Sequence, residues 1–309
     1  MFSSAGRNRK AAYAMVTLGA ILISFSAVFV KLAHVGPSVS AFYRVFFGGI
    51  ILAVISLMRG DSFWVGKKAF RLVLIAGITF TLDLFFWHRS IIYVGPGLAT
   101  ILGNFQVFFV AGFAIFFLGE KPTWKLLLAI PMAVAGLFMI IGFNWSEAGS
   151  NYHIGVFLGL FTAISYTAYL LILRYSQRIT TRLSIYSNLA IISLISAAIL
   201  GLEIFLRGQE SFVIPDLQTW SALLGLGIVS QVLGWILISS GLPKMDASIA
   251  GLLLLLQPAL AFTWDILFFG RSASAIIISG AILTITAIYL GSTGRRKKAV
   301  QEEIVKEKI

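Results

Sequence analysis

The sequence predicts an all-α polytopic membrane protein, with ten transmembrane helices arranged as two inverted five-helix repeats. Three observations lead there. The first is composition: 59% of the 309 residues are hydrophobic, 12% are charged and the mean hydropathy is +0.94, a balance unsuited to a water-soluble fold. The second is a succession of apolar stretches long enough to cross hydrocarbon, at about 11–31, 38–58, 72–92, 98–117, 125–142, 154–173, 183–205, 219–240, 249–268 and 275–293. The third is the placement of charge. If the N-terminus lies in the cytoplasm, all of the 24 Lys and Arg residues except Lys31, Arg44, Arg89, Arg207 and Arg271 fall at cytoplasmic ends. The net charge of +12 therefore reads as a topology signal with both termini inside, and no nucleic-acid partner is expected.

These spans divide the chain into a cytoplasmic N-terminal segment (1–10), a first repeat (11–142), an external linker (143–153), a second repeat (154–293) and a basic cytoplasmic tail (294–309). The basic start before an apolar run is reminiscent of a secretory signal, yet the run continues to Val30 and Lys31, so it is expected to stay as the first span. The tail is read as a solvated or surface-lying helix drawn to anionic lipid. There is no Cys, which removes disulfides, thiol nucleophiles and Cys-based metal sites.

The repeat is legible as weak self-similarity. Ser24-Phe25-Ser26-Ala27 in span 1 echoes Ser165-Tyr166-Thr167-Ala168 in span 6, Tyr43 falls opposite Tyr186, and Trp87 falls opposite Trp235. Span 4 parallels span 9 through Ala99 and Ala250, Gln106 and Gln257, and the exits Phe117-Leu118-Gly119 and Phe268-Phe269-Gly270. Five crossings per half return the second half from the opposite side, so the repeats are inverted. Small residues mark close packing: Ala99, Gly103 and Ala111 in span 4, Ala129, Ala133 and Gly136 in span 5, and Ala287 and Gly291 in span 10.

Function is placed in the hairpin from Phe80 to Lys121, which carries Asp83, Trp87, His88 and Arg89 in one apolar span and Asn104 and Gln106 in the next. A lone carboxylate at mid-membrane costs roughly 2.5–3.5 kcal/mol on insertion scales, so Asp83 is expected to meet water, a partner or a substrate. At 100° per residue Thr79, Asp83, Trp87 and Ser90 share a face. Asp83 is the first candidate for the transport cavity, with a structural pairing to Arg44 or a helix-end amide as the competing role. Five residues further, His88 lies about 140° round the helix, where an interhelix role competes with proton coupling by Asp83 and His88. Arg89 is expected to snorkel at the outer end. Arg44, about two turns inside span 2, suits either a carboxylate ligand or a fixed pair with Asp83. Tyr43, Trp87, Tyr166, Tyr169, Tyr186 and Trp235 offer ring faces and hydroxyls to a substrate. The amides Asn104, Gln106, Asn188, Gln231 and Gln257 serve equally as ligands, Gln231 foremost, or as interhelix bonds.

The five-plus-five layout, Phe42-Tyr43-Arg44, the Gly95-Pro96-Gly97-Leu98-Ala99 turn, the Leu82-Asp83-Leu84-Phe85-Phe86-Trp87-His88 run and the Phe117-Leu118-Gly119-Glu120-Lys121 exit together resemble the EamA family of the drug/metabolite transporter superfamily. The resemblance implies a carrier whose cavity is lined mainly by spans 1, 2, 3, 6, 7 and 8, with spans 4, 5, 9 and 10 bracing it. One departure stands out: span 9 ends Gly270-Arg271 where span 4 has Gly119-Glu120.

The expectation is a secondary transporter in the bacterial cytoplasmic (inner) membrane, moving a small metabolite by alternating access. An amino acid or related zwitterion, exported, fits best. Alternatives are a carrier or uptake permease for a cationic or nucleoside-like metabolite or drug, and a passive facilitator. An enzyme is not expected, because the chain has only three His, no H-E-x-x-H and no deep acid to work with Asp83; no G-x-x-x-x-G-K-[ST] loop supports a primary pump. The partners expected are the small-molecule substrate and the lipid bilayer, with a homodimer left open, and neither cofactor nor metal is expected.

Overall fold

The computed structural model describes residues 2–64, 66–118, 122–141, 149–179, 184–241, 253–254, 256–271 and 274–293. The basic tail, the Glu120 and Lys121 exit, Ala250 and most of the external linker therefore lie outside the described residues. All regular structure among the described residues is helical.

Among the described residues, seven helices are long and apolar enough to cross a membrane: Lys10–Leu32, Pro37–Met58, Phe70–Val94, Pro96–Phe117, Ser150–Ile172, Ile185–Arg207 and Leu217–Gly241. They coincide with spans 1–4 and 6–8. Where spans 5, 9 and 10 were expected, the described residues form shorter apolar helices, Trp124–Ile140, Leu256–Phe269 and Ala275–Gly291. Outward faces are apolar and exposed, as at Phe116 and Phe205, which suits lipid.

Several spans are not single rods. The first is broken at Phe25 into α1 (Phe2–Ser24) and α2 (Ser26–Leu32), so the helix reaches back through the expected N-terminal segment. After α3 (Pro37–Met58) and α4 (Lys67–Val94), the chain turns at Gly95, whose φ of +85° only glycine adopts readily, and Pro96 opens α5 (Pro96–Gly103) with its fixed φ at the first helical position. A second break at Asn104 and Phe105 separates α5 from α6 (Gln106–Leu118). Then come α7 (Trp124–Ile141), α8 (Ser150–Ile179) and α9 (Ile185–Arg207), which ends on left-handed Gly208. The next span is α10 (Leu217–Leu224), a π-helical segment (Gly225–Gly234) and α11 (Trp235–Gly241). The last helices are α12 (Leu256–Phe269) and α13 (Ala275–Thr293).

The two halves interlock helix by helix. α1 packs on the π segment and α11, α3 on α9, α4 on α8, α5 on α12, and α7 on α13. Small residues allow the approach. A Cβ added at Gly136 of α7 would stand 2.7 Å from the Gly280 carbonyl and 2.8 Å from the Thr284 amide of α13. Ala129, Ala133 and Ala287 are fully buried.

Outside the spans, the loop between α9 and α10 is fastened to the first half. Glu210 accepts from the free amides of Ser38 (3.3 Å) and Val39 (2.9 Å) at the α3 N-terminus. His34 Nδ1 lies 2.8 Å from Asp216 Oδ2, and Asp216 caps α10 through the Thr219 N–H at 2.8 Å. That amide bond first, then His34, holds the Asp216 carboxyl below its ordinary pKa.

Gly136→Val is expected to lower the melting temperature in detergent, since overpacking costs about 1–3 kcal/mol, while Gly112→Ala, whose added Cβ meets nothing within 4 Å, leaves it unchanged. A depressed carboxyl pKa contributes stability that is present above the ordinary carboxylate range and lost as pH falls through the folded value. Acid melting of Asp216→Ala should therefore lack part of the wild-type loss.

Candidate functional site

A partly open cavity of about 250 Å³ lies where the helix breaks meet. Ser24, Ser26 and Ala27 reach it from the α1/α2 break, and Gly103, Asn104 and Gln106 from the α5/α6 break. A break frees carbonyls and polar side chains from the helical pattern, which hydrocarbon tolerates only where they face protein or water. Asn104 Nδ2 donates to the Thr100 carbonyl at 2.8 Å, one of the bonds that closes the broken end of α5.

α4 supplies one wall through Phe80, Asp83, Leu84 and Trp87, at the 3- and 4-residue spacing of a single helix face. That corrects the face expected from the sequence at both its ends. Thr79 turns back to its own helix, donating to Ile75 and Ala76 carbonyls, and Ser90 donates to the Gly155 carbonyl of α8 at 2.7 Å. Asp83 is 9% exposed and takes no hydrogen bond from the described residues.

Opposite stands Arg44 of α3, 5% exposed. Its Nε donates to Gln231 Oε1 at 3.2 Å, and its guanidinium carbon lies 5.4 Å from the Trp87 ring centre. Its two terminal nitrogens form no hydrogen bond with the described residues. Among those residues, no carboxylate comes within 4 Å of the guanidinium, so the fixed Arg44–Asp83 pair weighed from the sequence is not formed. A cation and an anion face one cavity with their binding edges unused.

Trp87, Tyr166 and Trp235 also line the cavity, with apolar surface from Ile23, Leu84, Leu170, Ile238 and Leu254. The other sequence candidates lie elsewhere. Tyr43 donates its hydroxyl to the Phe212 carbonyl at 2.7 Å. Tyr186 stacks on Arg59, 4.6 Å from ring centre to guanidinium, at the far end of α3. Tyr169 stands behind Tyr166, ring centres 6.0 Å apart. Gln231 reaches Arg44 without lining the cavity. His88 is fully buried, with Nδ1 at 2.8 Å from Ser40 Oγ, so it joins α4 to α3 rather than facing the cavity.

Arg89 does not snorkel freely. It donates to Ser38 Oγ at 2.7 Å and pairs with Glu203 at 3.4 Å. Sequence reasoning passed over Asp265, 3% exposed, which accepts from the Gly97 amide at 3.0 Å and pairs with Arg271 at 3.1 Å. Its signal was an acid inside span 9 six residues before an Arg, and it clamps the Gly95–Gly97 turn rather than serving the cavity. Spans 4 and 9 were expected only to brace, yet Gln106 and Gln257 both reach the lining.

Comparison with known proteins places this geometry. Residues 10–142 and again 153–293 match the model of the EamA-like transporter family. A Pseudomonas aeruginosa protein named pseudopaline exporter CntI is 25% identical over 85% of this chain and 90% of its own length. An uncharacterized transporter of Archaeoglobus fulgidus is 23% identical over 90% of the chain and 94% of its own length, and Bacillus subtilis YvbV, also an uncharacterized transporter, is 23% identical over 85% and 84%. A solved crystal structure shares the fold at a TM-score of 0.66 with 20% identity, covering 93% of this chain and 98% of that one. The chain belongs to the EamA-like transporter family and is a membrane transporter of small molecules, not an enzyme.

Proposed function

We propose that this protein is a secondary carrier that exports an amino acid or related zwitterion with an apolar side chain across the bacterial cytoplasmic membrane by alternating access. The observation that carries the reading is the pair of opposite charges, Arg44 and Asp83, lining one cavity without a salt bridge between them. A zwitterion answers both at once: its carboxylate takes the open fork of Arg44 and its ammonium takes Asp83. Trp87, Tyr166 and Trp235, with Ile23, Leu170 and Ile238, then surround the side chain. Unsatisfied buried charge is costly, so the occupied cavity is strongly favoured over a dry empty one.

Ten crossings in two inverted repeats are part of the proposal. Support comes from the two successive family matches and from residues equated by the internal repeat. Trp87 and Trp235 both line the cavity, as do Gln106 and Gln257, while Tyr43 and Tyr186 sit at opposite ends of α3. The helix pairing follows the same symmetry, span 1 on 8 as span 3 on 6, with 2 on 7, 4 on 9 and 5 on 10. Outward direction draws on the relative named as an exporter.

Counterflow of labelled leucine and phenylalanine in proteoliposomes tests the function. Saturable exchange is expected; its absence for both, or non-saturating flux, would remove the reading. Asp83→Asn should reduce exchange at least about tenfold, the equivalent of roughly 1.4 kcal/mol. Asp83→Asn exchange equal to wild type throughout about pH 6 to 8 would take Asp83 out of both substrate binding and proton coupling.

A further inference from the structure

We propose that Gln231 is a positioning residue for Arg44, holding the guanidinium so that both of its terminal nitrogens face the cavity as a fork for a substrate carboxylate. The inference rests on the reading of Arg44 as the carboxylate anchor.

Gln231 stands 1% exposed in the π segment, one layer behind the cavity wall. Its amide is used at both ends. Oε1 accepts from Arg44 Nε at 3.2 Å, and Nε2 donates to Ser193 Oγ of α9 at 3.0 Å. Arg44 Nε–H can only donate, so it fixes which end of the amide faces it, and the fully buried Ser193 hydroxyl takes the other end. Only one of the five guanidinium N–H groups is consumed, and it is the one on the side remote from the fork. A carboxylate in place of the amide would compete with the substrate for the cation; a neutral acceptor orients it without neutralising it.

The local backbone is shaped for this contact. A Cβ at Gly48, one turn beyond Arg44 on α3, would stand 2.5 Å from Gln231 Cγ and 2.7 Å from its Cβ. A Cβ at Gly227 in the π segment would stand 2.7 Å from the Phe47 Cβ. Two glycines thus let α3 and the π segment approach until a glutamine can span from helix to helix. π-Helical turns are rare and concentrate where a side chain must be displaced from regular helical register.

The test uses full-length protein in proteoliposomes, reading leucine counterflow and its inhibition by leucine and by leucinamide, which keeps the amine and lacks the carboxylate. Gln231→Met, similar in shape and without hydrogen bonds, should raise half-saturation for leucine about tenfold with maximal exchange unchanged, and leave inhibition by leucinamide unaltered. Gln231→Glu should weaken leucine at least as much, because it gives Arg44 a permanent counter-charge. Ser193→Ala, a smaller change that keeps the fold if Gln231→Met does not, should shift leucine several-fold in the same selective way. Equal weakening of leucine and leucinamide, or no shift in either variant, would overturn the positioning role. The underlying reading fails separately: Arg44→Gln would then treat leucine and leucinamide alike.

Discussion

A charge buried in hydrocarbon must be answered, and two charges of this fold, Arg44 and Asp83, line a cavity without a counter-charge in salt-bridge contact. Elsewhere in the chain the rule is obeyed directly. Arg89 pairs with Glu203 and Arg271 with Asp265. Arg44 and Asp83 alone of this group face a cavity with unused bonding capacity. The contrast separates paired structural charge from the two charges proposed to hold a ligand. It also explains why the cavity sits at helix breaks, since a wall of unbroken apolar helices has no polar groups to share with such a pair.

The paired charges form the frame around that opening. Glu210 neutralises the exposed amides at the start of α3, the helix that carries Arg44, and Arg89 lies 3.9 Å from the same carboxylate. Asp265 ties the Gly97 amide at the start of α5 to Arg271, which also donates to the Val94 carbonyl at the end of α4 at 2.9 Å. The ends of α3, α4 and α5 are thus each held by an ionic clamp. A clamp of this kind is worth little at an exposed surface, but these are largely buried and breaking one leaves a stranded charge.

Much of this was legible in the sequence because membrane segments obey few rules. Apolar length located the helices, and the rarity of intramembrane charge singled out Asp83 and Arg44. Periodicity placed Trp87 on the same wall as Asp83. What the sequence concealed was register and depth behind the wall. An ideal helix puts Thr79 on the face of Asp83; in the fold its hydroxyl is taken by its own helix and it does not line the cavity. Tyr43 and Tyr186 looked alike as repeat partners, but each is used by a local neighbour, a loop carbonyl for one and Arg59 for the other. Gln231 lies one layer too deep, and no single-helix pattern distinguishes a residue that touches the ligand from one that holds the residue that does. The breaks at Phe25 and Asn104 carry no Pro at the break itself, so the usual punctuation was missing.

The proposed repeats share architecture without sharing chemistry. Both anchors, Arg44 and Asp83, come from the first half, and their counterparts in the second half are not charged: Tyr186-Ser187 follows in α9 where Tyr43-Arg44 stands in α3. The second half contributes ring walls through Tyr166 and Trp235 and the Gln231–Ser193 support. In a carrier that rocks one half against the other, a substrate held by ionic bonds to both halves would have to break them as the halves move apart. Keeping both charges on one half means that neither proposed ionic contact has to be made by the second half, whose share of the lining is uncharged. Arg44 is the exception to that division, since its Nε is bonded across to Gln231. The neutral bond there is weak enough to remake, on the order of 1.5–3 kcal/mol for a hydrogen bond to a charged group, where a carboxylate in the same place would bind the two halves far more firmly.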